Sequence, residues 1–204
     1  MSESALFKLV LINTGYLNDI AQNHKFQTGD KVTPKILVTY ASRTGSTAEV
    51  AAAISATLTK QGASIDLFTV QEVNSVQPYS AVVAGSAIQN RQWLPEAMEF
   101  MQKHQKTLNQ KPFAMYSLCM TLAMRNGEKY RPQVSEWLIP VRSLVTPISE
   151  GIFAGILDIN KIPNFGDRLK FRLSVAFGVW SVGDHRDWDA IHSWTDDLSI
   201  KLTS

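Results

Sequence analysis

The sequence predicts an α/β fold: one doubly wound sheet of five parallel strands with helices on both faces. Three observations carry this reading. Short apolar runs recur at 36–38, 65–70, 81–85, 113–118 and 151–154. Between them, apolar residues repeat at the three- and four-residue spacing of amphipathic helices. Strand and helix alternate throughout, and a parallel pair of strands needs the crossover that such a helix supplies. Sheets of this kind bind ligands at the carboxyl ends of their strands, beside the reversal in strand order.

Ile36, Leu37 and Val38 form a wholly apolar run, as expected of a strand buried on both faces. Val50, Ile54 and Leu58 mark the helix that follows, and Gly62 suits its C-terminus. Ile65–Val70 and Ala81–Gly85 read as the second and third strands. Pro95 fits the first turn of a helix that carries Met98 and Met101 inward and ends near Lys103 and His104. Phe113–Leu118 is the fourth strand. A helix beginning near Pro132 presents Val134, Trp137 and Leu138 until Pro140 interrupts it, and Gly151–Ala154 is a short fifth strand. The final helix aligns Trp188, Ile191, Trp194 or Thr195, and Leu198 on one face. Before the first strand, residues 5–20 approximate an apolar helical stripe weakened by Asn13, Thr14 and Gly15, an accessory helix or strand. Residues 23–34 read as a linker through Gly29, Asp30 and Pro34. The expected organisation is therefore an extension and linker at 1–34 and a domain at 35–204, with an insertion at about 155–187.

A chain of 204 residues with 45% hydrophobic content is large enough for one domain with a sizeable core. Its net charge of +2, spread without a dense Lys/Arg block, argues against a nucleic-acid partner. Cys119 is the only cysteine, so no intramolecular disulfide forms and a reducing, cytoplasmic compartment is the simpler expectation. No apolar run approaches the roughly 20 residues that span a bilayer, which leaves peripheral contact with the inner face of the cell membrane open. Glu3 and Lys8 make Ala5–Ile12 a poor secretory signal. His24, His104, His185 and His192 lack metal-ligand spacing, so no metal is expected. Cys119 has no placed histidine and reads as an inert thiol.

The most informative stretch joins the first strand to the first helix: Ser42, Arg43, Thr44, Gly45, Ser46 and Thr47. A helix N-terminus presents unpaired N–H groups and a partial positive charge. Four hydroxyls surround it here, and Gly45 lets the backbone curl toward an anion. Neither G-x-G-x-x-G nor G-x-x-x-x-G-K-[ST] is present, which disfavours a dinucleotide or triphosphate and favours a terminal phosphate. Arg43 either attracts the dianion or lies in solvent. A turn that binds nothing is the alternative. The segment resembles the flavodoxin phosphate loop, in which hydroxyls and backbone amides hold the phosphate of FMN.

Gly85-Ser-Ala-Ile88 with Trp93-Leu-Pro-Glu96, Tyr116-Ser-Leu-Cys-Met-Thr121 and Gly183-Asp-His-Arg-Asp-Trp-Asp-Ala-Ile191 follow that loop in order. Together they resemble flavodoxin-domain proteins of the menaquinone-dependent protoporphyrinogen oxidase group, over roughly Lys35 to Leu202. The resemblance implies a flavodoxin-like fold, FMN as cofactor, and an FMN-dependent oxidoreductase acting on a protoporphyrinogen-like small molecule with a quinone as acceptor. Carried onto this chain, Ser42–Thr47 hold the phosphate. The loops Ser86 to Trp93, with Ala87, Ile88, Gln89 and Asn90, and Leu118 to Asn126, with Cys119, Met120 and Thr121, flank the isoalloxazine ring. Ile88 or Trp93 could pack on that ring, and Trp93 serves equally well as a helix-entry anchor.

The loop after the fourth strand offers no aromatic side chain, and the chain is slightly basic; both depart from ordinary carrier flavodoxins. A flavodoxin-type electron shuttle between proteins and a flavin-free binding module remain the alternatives. The insertion mixes Phe165, Phe171, Phe177 and Trp180 with Arg168, Lys170 and Arg172, which suits a membrane interface or a porphyrin-like acid. A helix over a sheet edge with a solvated basic face is the plainer reading. The pattern is compatible with a homo-oligomer, and it assigns no general acid or base.

Overall fold

The structure, a computed structural model, describes residues 33–162 and 164–203. The helix or strand expected within 5–20, and nearly all of the linker, lie outside these residues. The strands are β1 (Lys35–Ala41), β2 (Ser64–Thr69), β3 (Ala81–Gln89), β4 (Gln92–Trp93), β5 (Phe113–Leu118) and β6 (Ser149–Phe153). Five of them run parallel in the order β2-β1-β3-β5-β6, while β4 pairs antiparallel with β3. This is the expected flavodoxin-like, doubly wound arrangement. The chain leaves β1 for β2 on one side and then builds outward through β3 on the other, so the order reverses beside β1. The carboxyl ends of β1 and β3 therefore frame the crevice in which such sheets take ligands.

The helices are α1 (Ser46–Lys60), α2 (Pro95–Leu108), α3 (Arg131–Glu136), α4 (Ile139–Leu144), α5 (Phe165–Ala176) and α6 (Trp188–Thr203). Alternate residues of each strand feed two cores, because successive side chains point to opposite faces. Leu37, Val82, Phe113 and Met115 meet Phe100 and Met101 of α2 and Val141 of α4. Ile36, Val38, Val83 and Ala114 meet Val50 and Ile54 of α1 and Ile191 and Leu198 of α6. A strand covered on both sides must be apolar throughout, which is why β1, β3 and β5 read as continuous hydrophobic runs.

Several boundaries differ from the sequence expectation. Strand β3 continues past Gly85 to Gln89, because β4 gives its far end a hydrogen-bonding partner in the register Ile88 to Trp93 and Gln89 to Gln92. Asn90 and Arg91 then both take positive φ (52° and 63°), the backbone of a two-residue primed turn. Helix α2 runs beyond His104 to Leu108, since His104 and Leu108 prolong the buried stripe of Ala97 and Met101; Met98 is only partly buried. Pro140 lies in the first turn of α4, where its missing N–H is tolerated, so it opens a helix as well as ending one. The last helix keeps its expected face: Ile191, Thr195 and Leu198 are buried, with Trp188 and Trp194 packed beside them.

Within the expected insertion, β7 (Ile156–Leu157) and β8 (Gly183–Asp184) pair antiparallel and close a lobe that carries α5. Asn164 caps α5 by accepting from the N–H groups of Gly166 and Asp167. No residue of α5 is buried. The helix therefore does not act as a packed cover.

His104 lies in α2 against Phe100, buried, with no partner for Nε2. Burial, with nearby Lys103 adding to it, holds its pKa below the usual imidazole value, against a Val73 backbone hydrogen bond. The folded state thus favours the neutral ring, and the unfolded chain takes up the proton first. This contribution to stability is complete above about pH 6.5, the ordinary histidine value, and is lost as the pH falls below it. The melting temperature should drop between pH 7.5 and 5.5, and His104→Leu should flatten the drop. Parallel curves for the two proteins would refute it.

Candidate functional site

At the carboxyl end of β1 the chain turns at Gly45, whose φ of 93° and open surroundings suit glycine. Gly45 N–H donates to Ser42 Oγ (3.0 Å), which closes the turn and leaves the Ser42 hydroxyl proton free to point outward. No side chain caps α1, so the first N–H groups of the helix face the turn unclaimed by side chains. Thr47, on the sheet-facing stripe of α1, is fully buried, and its Oγ1 has no hydrogen-bond partner. An unpaired buried hydroxyl is costly. At an uncapped helix N-terminus, an anion is the partner that would satisfy it. Thr44 is half-buried and Ser46 buried at the same turn, so four hydroxyl residues lie next to the helix N-terminus.

Arg43 turns away from this concavity. Its guanidinium makes a bidentate pair with Glu96 in the first turn of α2, Nη2 to Oε2 at 2.9 Å and Nη1 to Oε1. That contact holds the Glu96 carboxyl below its usual pKa. The arginine charge is thereby largely neutralised, and the pair ties the β1–α1 turn to the start of α2.

The residues expected to flank a flavin ring divide into structural and accessible groups. Ser86 is buried: its hydroxyl donates to the Ala87 carbonyl (2.9 Å) and accepts from Leu94 N–H (3.1 Å), holding the β3–β4 hairpin to α2. Trp93 is 1% exposed, and its Nε1 donates to Ser117 Oγ (2.8 Å) deep in the α2-side core. A ring so enclosed cannot stack on a ligand, so Trp93 takes the anchoring role and Ile88, partly buried at the crevice end of β3, is the remaining hydrophobic surface there. Ala87 is also half-buried, while Gln89 and Asn90 are exposed. Leu118 and Cys119 are buried, with Cys119 N–H donating to the Phe153 carbonyl (2.9 Å). Met120 and Thr121 lie in a short 3-10 turn after β5 and are half-buried.

The insertion leans on that turn. Trp180 Nε1 donates to the Met120 carbonyl (3.2 Å), and Arg125 N–H donates to the Val179 carbonyl (3.3 Å). Between the two segments lies a cavity of about 670 Å³ with mostly apolar walls, including Met124, Val175, Val179 and Trp180. Arg125 and His185 supply its polar groups, and His185 Nε2 donates to the Ser181 carbonyl (2.8 Å). Sequence reasoning did not single out Arg125 or His185 for this role, because nothing in their local spacing brings 123–125 against 175–185.

Of the three insertion cations, Arg168 folds back on the Ile162 carbonyl through Nε (3.1 Å) and Nη2 (2.8 Å). Lys170 pairs with Asp167 (3.1 Å), and Arg172 is exposed. Arg168 is thus a local brace. Among the described residues no group of three His, Cys, Asp or Glu side chains could hold a metal, and no helix is long and apolar enough to cross a membrane.

Comparison with known proteins agrees with the fold. A short-chain flavodoxin associated with a non-canonical PDU bacterial microcompartment superposes with a TM-score of 0.55 at 15% identity, covering 84% of this chain and 100% of the other. A flavodoxin of Streptococcus pneumonia TIGR4 gives 0.52 at 14% identity, covering 82% and 99%. In sequence, the protoporphyrinogen IX dehydrogenase [quinone] of Escherichia coli (strain K12) is 31% identical over 105 residues, 50% of this chain and 57% of that relative. The chain thus matches a little over half the length of that protein. The Flavodoxin domain model matches residues 37–177, from the first core strand through the end of α5, and the chain belongs to the flavodoxin-domain family.

Proposed function

We propose that the chain is an FMN-binding oxidoreductase whose substrate is a protoporphyrinogen-like small molecule and whose acceptor is a quinone. One observation carries the cofactor: the buried, unpartnered Thr47 hydroxyl at the glycine-opened, uncapped N-terminus of α1. These residues fit a phosphate monoester. Ser42, Thr44, Ser46 and Thr47 would hold the phosphate, and Ile88, Met120 and Thr121 would border the ring. FMN, when bound, supplies reversible two-electron redox chemistry.

The cavity between Ala123–Arg125 and the insertion supports an enzyme over a protein-to-protein shuttle. It falls in the size range of small-molecule sites, roughly 300 to 1,000 Å³, and adjoins the turn that begins at Met120. Its apolar walls suit a flat ring system, and the Arg125 guanidinium suits a carboxylate on that ring. In each turnover two electrons and two protons leave the substrate and appear on the quinone as quinol. Likeness to the protoporphyrinogen IX dehydrogenase [quinone] of Escherichia coli supports this choice of substrate and acceptor.

Peripheral membrane contact belongs to the same reading. Phe165 (75% exposed), Leu169, Leu173 and Phe177 (80% exposed) recur every four residues along α5, with Lys170 and Arg172 nearby. An apolar stripe flanked by cations is the pattern of a helix lying on an anionic bilayer. The test is FMN-loaded full chain, with no other protein, oxidising a porphyrinogen while reducing a menaquinone analogue in the presence of phosphatidylglycerol vesicles. Turnover with co-sedimentation is expected. FMN binding without turnover would point to the shuttle, and turnover without sedimentation would remove the membrane contact.

A further inference from the structure

We propose that Arg186 is a positioning residue: it offsets the two carboxylates beside the N-terminus of α1 and thereby sets how tightly the turn 42–47 takes a phosphate. This rests on the FMN reading above. Arg186 lies at the end of the insertion, just after β8, yet its side chain is only 4% exposed. Four groups enclose it. Its Nε and Nη2 form a bidentate pair with Asp184 (2.9 and 2.7 Å), and Nη2 also meets Glu49 (2.8 Å). Nη1 approaches the Ser46 carbonyl (3.4 Å), and the Trp188 ring covers the guanidinium at 4.3 Å.

The location gives the contact its meaning. Glu49 stands in the first turn of α1 and Ser46 is the helix's first residue. A carboxylate there is favourable while the helix end is vacant, since it complements the partial positive charge. It becomes unfavourable when a dianion binds at the same end, because like charges repel; Glu49 is half exposed, so solvent moderates this repulsion without abolishing it. Arg186 reduces that conflict: its single positive charge is shared by Glu49 and Asp184, which lowers the net negative charge beside the helix end from two to one. Glutamine in its place would leave both carboxylates without their cationic partner beside the helix end. The same pairs fasten the return of the insertion to α1, so the lobe beside the cavity and the turn at Gly45 share one anchor.

A merely structural role would weaken binding of any flavin, whereas charge compensation concerns the phosphate alone. The experiment titrates FMN and riboflavin separately into the flavin-stripped full chain and its variants. Arg186→Gln should weaken FMN binding about tenfold, the order expected of one uncompensated nearby charge, and change riboflavin binding by less than about threefold. Adding Glu49→Gln to Arg186→Gln should restore most of the lost FMN affinity. Glu49→Gln alone, with Arg186 intact, should tighten FMN about threefold and leave riboflavin unchanged; it decides the matter if Arg186→Gln does not fold. Equal losses for the two flavins, or no response to Glu49→Gln, would overturn the proposal. A native chain that binds FMN no more tightly than riboflavin would overturn the phosphate site itself, and this inference with it.

Discussion

The double variant Thr44→Val with Thr47→Val is expected to lower FMN affinity by at least a hundredfold while leaving the flavin-free protein as stable as before, or more so. Each hydroxyl lost from a charged acceptor removes roughly 1.5 to 3 kcal/mol, so two together correspond to about 3 kcal/mol or more, or roughly two decades in Kd. The opposite effect on stability follows from the orphaned Thr47 Oγ1. That oxygen is buried with no partner, and valine keeps the shape of threonine while removing the group whose desolvation is uncompensated. A residue that only stabilised the fold would show both quantities falling. Calorimetric titration with FMN and thermal melting of the flavin-free chain measure the two effects side by side. A loss of affinity below tenfold would show that the phosphate does not sit on these hydroxyls, and a fall in melting temperature would show that Thr47 has a structural partner.

Gly85→Ala is expected to be the most destabilising single methyl group in the sheet. A Cβ at this position would stand 1.9 Å from Cζ and 2.3 Å from Cε1 and Cε2 of Tyr116. Gly85 lies in β3 between Tyr40 of β1 and Tyr116 of β5 in register. With strands bonded on both sides, β3 cannot shift to make room, and the Tyr116 ring is itself fully buried. Overpacking of a core commonly costs about 1 to 3 kcal/mol and occasionally more; this site belongs at the upper end. At about 3 kcal/mol, the melting temperature of a domain this size falls by roughly 6 to 12 °C. Pairing Gly85→Ala with Tyr116→Leu should cost less than the sum of the two single changes, since the smaller side chain relieves the clash. Additive effects would mean that the ring and the glycine do not meet.

The Tyr116 ring lies across Gly85. Its hydroxyl, like that of Thr47, is buried without a partner, and burial, together with nearby Tyr40, raises its pKa well above the usual phenol value. The Tyr116 and Thr47 hydroxyls belong to the α1 face of the sheet, whereas Thr39 Oγ1, likewise buried without a partner, lies on the opposite face with Leu37 and Ala41. Such orphans are uncommon in native interiors.

Much of the fold was legible because its signals are local. Ile36-Leu37-Val38, Ala81–Gly85 and Phe113–Leu118 announce buried parallel strands by being apolar at every position, and Val50, Ile54 and Leu58 announce α1 by their spacing. Gly45 between hydroxyl residues marks the turn because few other residues accept a φ of 93°. The differences and the undecided alternatives fell where partners are distant or termini are ambiguous. Strand β3 gained four residues from its pairing with β4, which was not foreseen from the sequence, and Trp93 took the anchoring one of its two expected roles because Ser117, on another strand, accepts its indole N–H.

The alternation of elements and the glycine-opened strand-to-helix turn were determined by sequence alone, since each depends on residues adjacent in the chain or spaced by one helical turn; the family to which the chain belongs was legible too, from the order of its motifs along the chain. Tertiary structure alone decided that Arg43 is neutralised by Glu96, that Arg168 braces a loop, that Arg186 reaches Glu49 and Ser46, and that Met124 and Arg125 face Val175 and Val179 across a cavity. Those contacts join segments far apart in the chain. Their existence depends on strand order and on how the insertion folds back, and hydrophobic periodicity encodes neither.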